Sequence, residues 1–148
     1  MDYTKEVANK LNELLEKNYD AEKGYKFAAE NVKNPSLKSF FEERTKERYD
    51  FGHELKSEIS NFGEKPEKGS SVKGDMHRSW MNLKATFSSD KEEAILEEAV
   101  RGEKAAVEEY NEVLDDENIP PSTKNLLLKQ RNAITAALNK VKTLESEA

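Results

Sequence analysis

Cysteine is absent from this chain, and proline (4), glycine (6), histidine (2) and tryptophan (1) are scarce. Without cysteine there is no disulfide, no thiolate nucleophile and no thiolate metal ligand. Only His53 and His77 could supply imidazole, too little for a His-rich metal site or an arguable Ser-His-Asp set. Long apolar runs are also missing. Nothing approaches the roughly 20 consecutive apolar residues that span a bilayer, so no transmembrane segment is expected. Asp2, Lys5 and Glu6 interrupt any signal-peptide core at the N-terminus. Positive charge is outweighed: 24 Lys and Arg face 30 Asp and Glu, for a net charge of −6. Nucleic acid is therefore not an expected general partner. Apolar–polar alternation at period 2 is absent too, so no sheet is expected. These absences fit a cytoplasmic protein.

Charge is abundant instead. Asp, Glu, Lys and Arg make up 36% of the 148 residues, against about 25% in ordinary soluble proteins. Hydrophobic residues make up 35%, enough for narrow buried stripes on helices. Glu, Lys, Leu and Ala favour helix, and the length suits one domain over 1–148. The scarce breakers mark the boundaries. Asn34-Pro35, the stretch Gly63–Gly74, Ser88-Ser89-Asp90 and Pro120-Pro121 divide the chain. Four long helices are expected, at about 3–32, 36–62, 90–115 and 121–146, with Asp90 a candidate cap of the third.

Each segment carries an apolar seam at helical spacing. The first has Val7, Leu11, Leu14, Asn18, Ala21, Tyr25, Ala28 and Val32. The second has Leu37, Phe40, Phe41, Arg44, Arg48, Phe51, Leu55, Ile59 and Phe62. The third has Leu96, Ala99, Val100, Glu103, Val107, Tyr110 and Leu114, and the fourth Leu127, Gln130, Ile134, Ala137, Val141 and Leu144. Four seams of matching length imply an all-α four-helix bundle. Short links join the first helix to the second and the third to the fourth, so those pairs should be antiparallel. The link between the second and third is about 27 residues, while a bundle helix of that size is roughly 40 Å long. A link that long lets the third helix run parallel to the second, the single-crossover topology of ferritin-like folds. Met76, Trp80, Leu83 and Phe87 repeat at helical spacing within it. They predict a short extra helix at about 75–87, packed on the bundle through Trp80.

Three stretches carry a likeness: Asp20–Glu30 (DAEKGYKFAAE), Gly69–Trp80 (GSSVKGDMHRSW) and Gly102–Tyr110 (GEKAAVEEY). The chain resembles a bacterial family of ferritin-like four-helix bundles classed as a domain of unknown function. Its most specific signature is the Gly-Ser…His-Arg-x-Trp run containing His77, Arg78 and Trp80. The resemblance implies the fold, adds a stress-associated role, and carries no established activity.

Candidate chemistry lies midway along the seams. Asn18, Arg44, Arg48, Glu103 and Gln130 fall on interior positions, with Glu22 and Glu47 at the margins. Ferritin-like di-metal centres need a Glu from each of two helices and a Glu-x-x-His from each of the other two. No Glu-x-x-His occurs here, and Asp50-x-x-His53 points away from the seam. Each interior guanidinium at about 5 Å would repel a dication by roughly 7 kcal/mol at an effective dielectric of about 20. The expectation is therefore an ion-pair layer: Arg44 and Arg48 against Glu103 and one or both of Glu22 and Glu47, completed by Asn18 and Gln130. No cofactor is predicted. Tyr19, Tyr49 and Tyr110 read as packing or surface residues. The leading functional reading is a non-enzymatic interaction protein that binds a protein partner or itself. One alternative is an iron- or manganese-binding oxidoreductase using Glu22, Glu47 and Glu103. Another is a small-ligand or membrane-surface binder. Phe27 and Leu128 lie opposite their seams and are expected to meet the crossover or a second subunit.

Overall fold

The computed structural model describes residues 3–66 and 92–147. They form four helices: α1 Tyr3–Asn31, α2 Pro35–Asn61, α3 Glu92–Leu114 and α4 Pro121–Glu147. No strand occurs among the described residues. The expected short helix, the cap Asp90 and the signature residues His77, Arg78 and Trp80 lie outside them.

Local chemistry sets the ends. The Asn34 side chain accepts hydrogen bonds from the Ser36 and Leu37 amides at 2.8 and 3.3 Å, with Pro35 opening α2. This satisfies otherwise orphaned amides, and proline gives up no needed donor at the first helical position. At the other end of α2, Gly63 takes φ 77°, and the Gly63 and Glu64 amides donate back to Ser60 and Ile59. Only glycine adopts that conformation cheaply, which stops the helix there. Between α3 and α4, the Asp116 carboxylate accepts the Asn118 amide at 2.9 Å, and Pro121 opens the last helix.

Side-chain pairs along the helices fix their directions. Lys10 meets Asp116, Lys17 meets Glu109, and Glu92 accepts the Lys33 and Asn34 amides, so α1 and α3 are antiparallel. The pairs Asn12–Lys65 and Lys38–Ala29 make α1 and α2 antiparallel. Since α1 opposes both, α2 and α3 run parallel. Glu58–Thr123 and Glu54–Gln130 make α2 and α4 antiparallel. The end of α2 and the start of α3 therefore sit at opposite ends of the bundle.

The core divides into two apolar clusters. One holds Leu11, Leu14, Phe51, Leu55, Ile59, Val113, Leu127 and Ile134. The other holds Tyr25, Ala28, Phe41, Ile95, Leu96, Ala99, Leu138 and Val141. Buried polar side chains lie between them. The expected seams of α1 and α4 are buried except Leu144 at the α4 end, which is half-buried, as is Phe62 after α2. In α3 the expected Leu96, Ala99, Glu103 and Tyr110 are buried, but three other seam residues are not. Val100, Val107 and Leu114 are half-buried on the rim, while Ile95, Gly102, Ala106 and Val113 are buried. Small Gly102 and Ala106 permit close helix approach, so period rather than side-chain size decides the inner face. Phe27 and Leu128 are both half-buried.

Gly52 is buried in mid-helix, where glycine weakens α2. A Cβ there would lie 3.6 Å from Leu15 Cδ1 and 4.0 Å from the Tyr19 ring, ordinary contact distances. Gly52→Ala should therefore stabilise the protein by about 0.5–1 kcal/mol. A raised urea midpoint at unchanged slope is the expected result, and a lowered midpoint would count against this packing.

Candidate functional site

The mid-bundle layer is built around Arg48, which α2 carries between the two apolar clusters. Arg48 is 2% exposed and Glu103, projected from α3, is fully buried. Arg48 Nη2 donates to Glu103 Oε1, and Nη1 donates to Asn18 Oδ1 of α1 at 2.7 Å. Asn18 Nδ2 in turn donates to the Leu14 carbonyl at 2.8 Å and to Tyr110 Oη at 2.9 Å. The Tyr110 hydroxyl donates a hydrogen bond to Gln130 Oε1 of α4 at 2.7 Å. Gln130 Nε2 donates to Glu54 Oε1 at 3.0 Å and to the Phe51 carbonyl at 3.3 Å. One chain of hydrogen bonds thus crosses all four helices, from sealed Glu103 out to half-buried Glu54.

Burial and charge shape the ionisations. Burial works against the Arg48 charge, but Glu103 and the phenols of Tyr110 and Tyr25 outweigh it and leave its pKa above the ordinary value. Burial pushes the Tyr110 hydroxyl up to about 12, although Arg48 and the Asn18 hydrogen bond oppose it. Tyr25, fully buried beside Glu103, is raised well above its ordinary value, first by burial and then by that carboxylate. Both phenols are therefore protonated donors at neutral pH.

Of the seven layer residues expected from sequence, Asn18, Arg48, Glu103 and Gln130 come together. Arg44 does not join them. It is partly exposed, stacks 5.4 Å over the Phe40 ring and pairs with Glu47 at 3.2 Å and Glu43 at 3.8 Å. One buried carboxylate compensates one guanidinium, and the long Arg44 stem lets its head reach the rim. Of the two arginines expected against Glu103, only Arg48 reaches it, and Arg44 takes Glu47 instead. Glu22 is half-buried among Lys26, Lys56, His53 and Lys23. Sequence reasoning missed Tyr110 and Glu54 as members. Tyr110 stands seven residues after Glu103 on the same helical face, a signal that was available.

The set does not fit a di-metal centre. Glu103 is engaged by a fixed cation, Glu47 by Arg44, and Glu22 faces lysines. His53 is exposed, its ring edge-on to Tyr49 at 4.5 Å. No group of three potential His, Asp or Glu ligands converges among the described residues.

A family model described as Domain of unknown function (DUF2383) matches residues 6–116. This chain belongs to that family. No curated protein matches it. Two solved structures share the fold of this DUF2383 bundle. A mutant of Dps1 from Mycobacterium smegmatis superposes with a TM-score of 0.79 at 15% identity, covering 97% of both chains. The bacterioferritin-related protein of Bacteroides fragilis, described as a dodecameric thioferritin, superposes with a TM-score of 0.78 at 17% identity. That match covers 99% of this chain and 88% of the other. The DUF2383 chain therefore has the ferritin-like four-helix fold expected from its sequence.

Two predictions follow from this geometry. Arg48→Met strands a buried carboxylate and should destabilise the DUF2383 fold by roughly 3–5 kcal/mol. Pairing it with Glu103→Leu should recover part of that loss, so a double-mutant cycle in urea should be non-additive. Strictly additive losses would dissolve the pair. Stability should also depend on pH in a defined direction. Burial raises the folded-state pKa of Glu22, Glu47 and Glu109 above the ordinary 4.5. The folded state then binds protons more readily, and the stabilisation present near and below that value is lost as pH rises through the folded values. Asp116 acts oppositely. Hydrogen bonds from Lys10 and the Asn118 amide lower its pKa, so its contribution disappears as pH falls through its folded value. Calorimetric midpoints should rise from neutral pH toward the mid-4s and fall below that. Replacing the three glutamates by glutamine should flatten the rise.

Proposed function

We propose that this protein is a non-enzymatic, self-associating ferritin-like bundle of the cytoplasm, whose centre carries structure rather than metal chemistry. One observation carries the reading: the fully buried Glu103 carboxylate is ion-paired to the nearly buried Arg48 guanidinium, so the mid-bundle level already holds a fixed cation. Active ferritin-like di-metal sites place their carboxylates and histidines at that level. Self-association is supported by the described dodecameric state of the Bacteroides fragilis neighbour. It is also supported by Tyr49, which stands 50% exposed on α2. No described helix is long and apolar enough to cross a membrane, and the net charge of −6 disfavours anionic surfaces and nucleic acid.

The test combines light scattering after gel filtration with metal analysis of protein equilibrated with ferrous iron and with manganese. The expected outcome is a defined homo-oligomer carrying well under one metal ion per chain. A metal pair per chain that disappears with Glu103→Gln would overturn the reading in favour of an oxidoreductase. A strict monomer would remove the self-association.

A further inference from the structure

The Arg48 guanidinium fills the bundle centre and is met there by oxygen atoms. Glu103 Oε1 from α3 and Asn18 Oδ1 from α1 both accept from one guanidinium, in two directions set by its fork. The Tyr110 hydroxyl closes the layer behind Asn18, and Tyr25 stands beside Glu103. The formal charge of this lining is that of one carboxylate. A dication would leave surplus positive charge in a sealed core, whereas a single delocalised monovalent cation neutralises it. Glu47, which also feels the Arg48–Glu103 pair, is engaged by Arg44 on the rim. Other charged groups near the chamber are Glu54 beside Gln130 and Glu109 paired to Lys17.

We propose that Arg48 is the resident cation of a cation-binding chamber, and that its guanidinium takes the mid-bundle place that a metal takes in active ferritin-like centres. The inference rests on the non-metal reading above. The chamber is matched to a planar monovalent cation and closed to metal as long as Arg48 is present. Removing the Arg48 side chain leaves a cavity whose remaining lining still selects guanidinium.

The experiment is rescue in trans. Arg48→Ala is titrated with millimolar guanidinium chloride, with thermal unfolding followed by circular dichroism. Urea and potassium chloride serve as controls. Guanidinium should lower the midpoint of the wild-type protein, as it does for most proteins. It should raise the midpoint of Arg48→Ala saturably, because a ligand that binds only the folded state stabilises it. The rise should vanish in Arg48→Ala/Glu103→Gln. A midpoint of Arg48→Ala that falls in parallel with the wild type would overturn the proposal. So would stabilisation of Arg48→Ala by manganese at lower concentration than by guanidinium. If Arg48→Ala does not fold unaided, it is refolded with and without guanidinium. Helical signal recovered only with the ion supports the chamber, and no recovery overturns it. Metal bound by the wild-type protein would instead sink the non-metal reading, so the two failures are distinguishable.

Discussion

The Arg48–Glu103 pair constrains everything around it. A charge taken out of water loses several kcal/mol of solvation, and attraction to its partner repays this only when the geometry is good. Here the carboxylate is fully buried and the guanidinium nearly so. Any shift of α2 or α3 by one turn would leave both charges unpaired in the core. The pair therefore contributes little to net stability and much to register. It is also the polar bridge between α2 and α3, which lie diagonally across the bundle, each packed against α1 and α4 rather than against the other. Apolar side chains tolerate small sliding, but a forked donor with two named acceptors does not.

The polar layer depends in turn on the apolar clusters on either side. Tyr25, Phe41 and Leu96 seal one side, and Leu14, Phe51 and Leu55 the other. Excluding water strengthens every hydrogen bond between them and makes every unmade one costly. This is why Asn18, Tyr110 and Gln130 sit where they do. Arg48 needs a second acceptor, Asn18 provides it, and the leftover Asn18 donor needs Tyr110. The Tyr110 hydroxyl needs Gln130, and the Gln130 amide ends on Glu54 and a backbone carbonyl. Each residue is the solution to the one before it, and the series stops where solvent can take over.

Much of this was legible in the sequence because the decisive signals are local or periodic. The helix ends follow from Pro35, Gly63 and Pro121, whose backbone preferences need no tertiary context. Arg48, Glu103, Asn18 and Gln130 stand out as polar residues on apolar seams. The parallel course of α2 and α3 follows from linker length and agrees with the pairs along α1. What failed was choosing between neighbours on a face. Arg44 and Arg48 are four apart on one stripe, and only the position of Glu103 on another helix decides which is buried. Leu96, Ala99, Glu103 and Tyr110 of the α3 seam were read correctly, but Val100, Val107 and Leu114 were read as interior because large apolar side chains attract attention and Gly102 and Ala106 do not. Tyr110 was discounted because a tyrosine on a seam reads as packing until its hydroxyl finds two partners.

The span of the family match bears on what this centre is for. Residues 6–116 contain Asn18, Arg48, Glu54, Glu103 and Tyr110, whereas α4 lies beyond them and supplies Gln130. The ion pair and its first acceptors thus belong to the part that defines the domain, and α4 completes it with one neutral amide. A neutral amide is the right terminus. Tyr110 remains protonated because its pKa is about 12, so it needs an acceptor, and a carboxylate in that sealed place would add a second buried negative charge with no cation to meet it. Gln130 accepts through its carbonyl and carries the remaining donors outward to Glu54, where partial exposure makes a charge inexpensive. Among the described residues, the network therefore holds its fully buried charges in one neutral pair.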